Sequence, residues 1–172
     1  FLKIPRLRRD CCITEKIDGT NAQVVVTPEG QVLAGKRTSY CTPEQDNYGF
    51  ARWVKENEEE LKKLGIGRHY GEWYGSGIQR RYGLEEKRFA LFNVHRHKDS
   101  VPACCSVVPT LYLGRFTDSA VQTALDDLRT NGSRAVPGFM QPEGVVVFMA
   151  ASGTLHKVLL EGDELPKGEA RT

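Results

Sequence analysis

The apolar residues of this chain are confined to short runs, and even one of the longest covers only residues 145–151. Runs of this length suit strands packed in a core and are far too short to cross a bilayer as helices. With 172 residues, the chain is long enough to bury such a core without disulfide bonds. The sequence therefore predicts a soluble globular protein without membrane-spanning segments.

Turn residues divide the apolar runs into segments of two kinds. Apolar residues recur with helical spacing over 50–64, which ends at Gly65, and over 118–130, which Thr117 or Asp118 caps and Gly132 ends. Strand-like runs occupy residues 22–26, 31–34, 89–94, 111–113, 145–149 and 155–160, and the first two form a predicted hairpin. Because these elements lack a regular βαβ rhythm, we predict an α+β fold with largely antiparallel sheets, one domain and one shared core.

Charge alone does not identify a partner. The formal net charge is only +2, although basic residues cluster at Lys3, Arg6, Arg8, Arg9, Arg80, Arg81, Lys87, Arg88, Arg96 and Lys98. These residues can form a face that guides a phosphate backbone, or they can be an ordinary solvated surface. Both interpretations stay open at this point.

Cysteine and histidine spacing does not indicate a metal site. The five cysteines include two adjacent pairs, a spacing that fits neither a disulfide framework nor the C-x-x-C motif of zinc sites. His95 and His97 alternate, but no third ligand is spaced to join them. We therefore predict free thiols and an intracellular, reducing location. Residues 1–5 are too short and too basic for the apolar part of a signal peptide.

The segment Thr-Glu-Lys-Ile-Asp-Gly-Thr-Asn, residues 14–21, places Lys16 just before an Asp-Gly turn. A lysine becomes a nucleophile only when its amine loses its proton, and a tight glycine turn leaves backbone N–H groups free for a ligand. On its own this pattern also fits a surface turn with a charged edge. The rest of the chain decides between the two interpretations.

Five further short motifs follow Lys16-Ile-Asp-Gly19 in order. They are Lys36-Arg-Thr38, Gly71-Glu-Trp-Tyr-Gly75, Phe89-Ala-Leu-Phe-Asn-Val94, Glu143-Gly-Val-Val-Val147 and Leu155-His-Lys-Val158. Together they resemble the motifs of the covalent nucleotidyltransferases, which comprise the ATP-dependent DNA and RNA ligases and the mRNA capping enzymes. The resemblance implies the nucleotidyltransferase fold of that superfamily (ATP-grasp-like), with antiparallel sheets around a nucleotide cleft and flanking helices.

The resemblance also assigns a role to each motif residue. Lys16 is implied to attack ATP and carry AMP, Arg37 to hold the sugar or a 5′-phosphate, Glu72 the ribose hydroxyls, and Phe92 to stack on the base. These roles suit the chemistry of the side chains, because an ionised carboxylate only accepts hydrogen bonds and a flat ring stacks on a base.

Four more residues complete the site that the resemblance implies. Glu143 is implied to bind Mg²⁺ or Mn²⁺, which prefer hard oxygen ligands, and Lys157 to contact the α-phosphate. Glu15 and Asn21, on either side of the Asp-Gly turn, are implied to bind the nucleotide as well.

Within the superfamily, Asn21 directly after Gly-Thr, together with Arg37 in its triplet, looks most like the RNA ligases of the second phage type and their editing-ligase relatives. The expected protein is thus an adenylyltransferase domain over residues 1–172, with no OB-fold or other C-terminal domain, acting on RNA with 5′-phosphate and 3′-OH ends. One departure stands out: Leu159 occupies a position where the family usually has a second basic residue, and Lys167 is a candidate to replace it.

Two alternatives remain for the activity. One is a DNA nick-sealing ligase or a capping-type guanylyltransferase, which share the motifs. The other is a non-catalytic module that binds nucleic-acid ends with the same fold. The sequence leaves the natural substrate and the oligomeric state open.

Overall fold

A computed structural model describes residues 9–163 of the chain. The basic residues Lys3, Arg6 and Arg8, the segment 1–5 and Lys167 lie outside the described residues. The chain forms two compact units, each described separately below. Unit 1 contains residues 9–17 and 109–163 of the described part, and unit 2 is Asp18–Val108.

The elements are, in chain order, β1 (Asp10–Lys16), β2 (Thr20–Val26), β3 (Val32–Lys36), α1 (Phe50–Glu56), α2 (Glu58–Lys62), β4 (Gly67–Gly75), β5 (Lys87–Leu91), β6 (Cys105–Val107), β7 (Thr110–Arg115), α3 (Asp118–Asn131), β8 (Gly144–Met149) and β9 (Thr154–Leu159). Short strands in two sheets with few helices confirm the predicted α+β class. No helix within residues 9–163 is long and apolar enough to cross a membrane.

Unit 1 is an antiparallel sheet covered on one face by α3. Its strand order is β7-β1-β8-β9, so β1 pairs on both sides with strands from the far end of the chain. Alternation along β1 and β8 places Cys11, Ile13, Val145 and Val147 in the core against the apolar stripe of α3. Helix α3 begins as predicted, because the Thr117 hydroxyl accepts a hydrogen bond from the backbone N–H of Ala120 at 3.1 Å.

Unit 2 is a five-stranded sheet with α1 and α2 packed on one face. The strand order is β3-β2-β4-β5-β6, antiparallel throughout except for the parallel pair β5–β6. The centre of the core is an aromatic cluster of Phe50, Trp53, Trp73 and Phe89, in which the centroids of contacting rings lie 5.1 to 5.7 Å apart. Contacts of this kind add to the stabilisation from apolar burial.

The structure corrects two predictions about the architecture. The buried apolar residues form two separate clusters, one in each unit, instead of one shared core. The predicted helix over 50–64 is two helices, because Asn57 leaves helical geometry with φ −109° and ψ 19° and its side-chain amide donates to the carbonyl of Trp53 at 2.8 Å. Asparagine side chains compete in this way for backbone groups and interrupt helices.

Histidines 69 and 97 form a buried pair in unit 2, with ring centroids 5.4 Å apart. The Nε2 atom of His69 lies 2.8 Å from the carbonyl oxygen of Gly65 and therefore carries its proton, which leaves Nδ1 without a hydrogen-bond partner among the described residues. Burial lowers the pKa of both imidazoles, and the Arg96 cation lowers both further. Within residues 9–163, no three His, Cys, Asp or Glu side chains are placed to hold a metal ion together.

We expect mild acidification to destabilise the protein through this histidine pair. Because the pKa values of both histidines are lower in the folded than in the unfolded state, their contribution is fully present above the unfolded value of about 6.5 and is lost as the pH falls below it. The free energy of unfolding in urea should fall between about pH 7.5 and pH 6, by at most about 1.5 kcal/mol for the two histidines together. His97→Leu should flatten this dependence and the exposed His95→Gln should not; equal slopes in both variants would contradict the assignment.

Candidate active site

Lys16 is the last residue of β1 and is held by a carboxylate in the same unit. Its Nζ atom lies 2.5 Å from Oε2 of Glu143, the residue just before β8, and the two side chains are 26% and 11% exposed. The sheet brings them together because Lys16 pairs with Gly144 in the β1–β8 register. The structure thus joins two residues that lie 127 positions apart in the chain.

Lys157 lies on the same face of the unit 1 sheet as Lys16. Thr14 pairs with Val146, which pairs with Lys157, and this row is two residues from the row of Lys16, Gly144 and Leu159. Residues two apart on a strand share a face. Leu159, which departs from the family pattern, is therefore in the row of Lys16 itself.

The Glu15 side chain points to the opposite face of β1 and is 1% exposed. Its carboxylate accepts hydrogen bonds from the Ser133 hydroxyl at 2.5 Å and from the backbone N–H groups of Arg134 and Ala135 at 2.7 and 2.8 Å. Burial raises the pKa of this carboxyl, while the three donors oppose the rise. The geometry does not support the prediction that the Glu15 side chain binds nucleotide, because its oxygens already hold the loop that follows α3.

In unit 2, the structure places Asn21, Glu72 and Phe92 on the sheet face opposite α1 and α2. Asn21 pairs with Glu72, Glu72 pairs with Ala90, and Phe92 follows Ala90 by two residues. One oxygen of Glu72 accepts a hydrogen bond from the Gly19 N–H at 3.1 Å. Phe92 is 39% exposed. Arg37 is exposed and directly follows β3.

The Asp-Gly turn is held by a loop that sequence reasoning did not assign to the site. The Asp18 carboxylate pairs with Nε of Arg80 at 3.0 Å, and the Asp18 N–H donates to the Tyr82 hydroxyl at 2.7 Å. Gln79, Arg81 and Tyr82 in this loop have positive φ values of 43°, 60° and 53°. Left-handed conformations at non-glycine residues are uncommon and concentrate at functional sites.

Gly19 has no room for a side chain. A Cβ atom at this position would lie 2.4 Å from the carbonyl oxygen of Trp73 and 2.8 Å from Cβ of Tyr74. The glycine of the motif therefore serves close packing of β2 onto β4, in addition to the turn.

The model of the family described as RNA ligase matches residues 9–157. The chain belongs to the RNA ligase family. The match includes all eight residues predicted for the site.

Solved structures of Naegleria gruberi RNA ligase share the fold. A variant with ATP and Mn aligns with a TM-score of 0.63 and 17% identity over 89% of this chain and 50% of that chain. A variant with AMP and Mn and an apo variant each give a TM-score of 0.61 and 19% identity over 88% of this chain and 49% of theirs. This chain thus spans about half the length of those proteins. No curated protein sequence matches it.

In this member of the RNA ligase family, we expect Tyr82→Phe to weaken the Asp-Gly turn. The change leaves the Asp18 N–H without its acceptor beside a buried ring, at a cost of about 1–3 kcal/mol. Denaturant unfolding measures this loss, and Tyr48→Phe, at a tyrosine that is 55% exposed, is the matched control. If both variants unfold at the same denaturant concentration, the Tyr82 hydroxyl does not stabilise the turn.

Proposed function

We propose that this chain is the adenylyltransferase part of an ATP-dependent RNA ligase that carries AMP on Lys16. The main observation is the pairing of Lys16 with Glu143 at the end of β1. Two charged side chains held in contact, while only 26% and 11% exposed, are a costly arrangement for stability alone. Because the chain belongs to the RNA ligase family, we infer that this ion pair serves catalysis.

The first step of the proposed reaction consumes ATP. The neutral Lys16 amine attacks the α-phosphorus, a P–N bond forms and the P–O bond to pyrophosphate breaks. The nitrogen, now positively charged, then gives up one proton to solvent. An ammonium held by Glu143 has no lone pair for this attack, so Lys16 must lose its proton before it reacts.

The remaining residues bind and orient the reactants in this proposal. Lys157, on the Lys16 face of its sheet, balances charge on the α-phosphate, and Arg37 holds the sugar or a 5′-phosphate. On the unit 2 sheet face, Glu72 accepts from the ribose hydroxyls, Phe92 stacks on the base, and Asn21 hydrogen-bonds the adenylate.

Two further transfers complete the proposed joining of RNA ends. A 5′-phosphate oxygen of the RNA attacks the phosphorus of lysyl-AMP, breaking the P–N bond and returning the amine to Lys16. The 3′-OH of the other end then attacks the activated 5′-phosphate, forming the phosphodiester and releasing AMP. Splitting one difficult condensation into such steps is the advantage of covalent catalysis.

A divalent cation fits the donors that unit 1 offers. Glu143 supplies a carboxylate, and Mg²⁺ or Mn²⁺ is commonly held by one or two carboxylates together with substrate phosphates. Such an ion, when bound, supplies positive charge opposite the phosphates.

The five cysteines are all free, which supports our proposal of an intracellular, reducing location.

Intact-mass analysis tests the proposed function directly. The purified protein, incubated with ATP and Mg²⁺, should gain the mass of one AMP, located on Lys16 by peptide mapping. GTP should give no adduct, which separates a ligase from a capping-type guanylyltransferase. Nicked RNA, an RNA–DNA hybrid and nicked DNA then show which strand is joined. Binding of nucleotide or RNA ends without any adduct would instead establish a non-catalytic end-binding module.

A further inference from the structure

The sheet face that carries Glu72 and Phe92 continues past them with exposed aromatic and basic side chains. Tyr70 and Arg68 precede Glu72 by two and four residues on β4 and so lie on the same face. The Phe92 N–H donates to the Tyr70 carbonyl at 2.9 Å, which makes the two residues neighbours, and Tyr70 is 47% exposed. An exposed ring thus lies beside the residue assigned to the base of the nucleotide.

Arg68 is held in one orientation by neutral groups. Its Nη1 atom donates to Oε1 of Gln23 at 2.9 Å, its Nη2 atom donates to the Tyr40 hydroxyl at 3.1 Å, and its guanidinium carbon lies 5.6 Å from the centre of the Tyr40 ring. Tyr40 is 52% exposed, so one side of this pair faces solvent. Arginine stacked on an aromatic ring keeps its planar donor groups oriented.

The Gln23 amide that anchors Arg68 is itself fixed. Gln23 is 4% exposed, and its Nε2 atom donates to the carbonyl of Lys36 at 2.9 Å. The side chain lies across Gly35, where a Cβ atom would come within 2.8 Å of Gln23 Cγ. A buried, satisfied amide below an exposed cation means that Arg68 is positioned before any ligand binds.

The positive charge of Arg68 has no counter-ion in the described part of the chain. Within residues 9–163, Arg68 makes no ion pair within 4.0 Å, as is also true of Arg37 and Arg52, but two neutral side chains fix its guanidinium. An uncompensated guanidinium favours an anionic ligand, and arginine geometry suits phosphate. Exposed tyrosine rings stack on unpaired bases of single-stranded nucleic acid.

We propose that Tyr40, Arg68 and Tyr70 bind a single-stranded nucleotide of the RNA substrate, with Tyr70 stacked on its base and Arg68 paired with its phosphate. This inference rests on the proposed function, because it takes RNA as the substrate. It adds a contact surface that none of the six sequence motifs contains. The surface lies beside Phe92, so the bound RNA strand runs next to the base of the adenylate.

Fluorescence anisotropy with a short, 5′-phosphorylated, single-stranded oligoribonucleotide tests the proposal. Tyr70→Ala and Arg68→Gln should each raise the Kd about tenfold, which corresponds to about 1.4 kcal/mol. Arg68→Gln should also lower the slope of log affinity against log salt by about 0.7, the value for one phosphate contact on a single strand. Tyr70→Phe keeps the ring and should bind like the wild type, and Arg129→Gln removes one exposed charge elsewhere and should also do so.

Parallel measurement of lysyl-AMP formation separates this proposal from the function on which it rests. RNA affinity that falls more than adduct formation in both variants supports the surface. The proposal is overturned if Tyr70→Ala and Arg68→Gln leave the Kd for RNA unchanged, or if Arg129→Gln lowers RNA affinity as much as they do. It is also overturned if these two variants lose adduct formation to the same extent as RNA affinity. If the wild type forms no adduct but Tyr70→Ala and Arg68→Gln still weaken RNA binding, the proposed function fails and the RNA surface stands.

Discussion

Lys16→Arg is expected to abolish formation of the protein–AMP adduct while leaving the fold intact. Arginine keeps the positive charge opposite Glu143, but its guanidinium does not lose its proton in proteins and so provides no nucleophile. Intact-mass analysis after incubation with ATP and Mg²⁺ should show a fall of at least about a thousandfold, the scale seen when a catalytic nucleophile is removed. Far-UV circular dichroism checks that the variant is folded.

Two comparisons make this result specific to Lys16. Lys98→Arg changes an exposed lysine whose ion pair with Asp99 is long, at 3.9 Å, and it should form the adduct like the wild type. Glu143→Gln keeps the shape of its side chain but removes the carboxylate proposed to hold the divalent cation, and we expect it to form adduct about a hundredfold more slowly. Adduct formation at the wild-type rate by Lys16→Arg would show that another residue carries the nucleotide.

Glu15→Ala is expected to lower the free energy of unfolding by about 3 kcal/mol, because it leaves buried donors without an acceptor. The Ser133 hydroxyl and the N–H groups of Arg134 and Ala135 all donate to this carboxylate. Denaturant unfolding followed by circular dichroism measures the change. Adduct formation should also slow, since Glu15 directly precedes Lys16 on β1 and fixes the end of that strand.

Ser133→Ala provides the scale for this effect. It removes one of the three hydrogen bonds to Glu15 and also the acceptor of the Val136 N–H at 3.0 Å, and it should cost about 1–2 kcal/mol. A Glu15→Ala variant as stable as Ser133→Ala would mean that water replaces the lost carboxylate without penalty. In that case Glu15 would not be the residue that holds the loop after α3.

The sequence was sufficient to predict the class of fold and the elements with clear periodicity. Helix α3, with its Thr117 cap and its end at Gly132, follows directly from apolar spacing and cap chemistry. Strand β4 was missed because charged residues, glycines and aromatics interrupt its pattern between residues 67 and 75. Asn57 broke the helix predicted over 50–64 through a side-chain hydrogen bond, which periodicity does not reveal.

The candidate site was predictable only where a residue belongs to a local motif. The motifs identify Lys16 and Glu143 separately. They do not predict the ion pair between them, because it depends on the register of β1 with β8. Arg80 was noted only as part of a basic cluster, since its partner Asp18 is 62 residues away. Glu15 was assigned to the nucleotide from its place in the motif, whereas alternation along β1 turns it towards the core of unit 1.

The placement of β1 between β7 and β8 has a consequence for biosynthesis. Unit 2 is a continuous stretch of chain, so all its strands are synthesised before β7 and β8. Strand β1 is made before unit 2 but both of its neighbours are made after it, and pairing over such sequence separations is slow. We expect released chains that end before β7 to contain a protease-resistant unit 2 and an unpaired β1, because neither neighbour of β1 nor the carboxylate partner of Lys16 has yet been made.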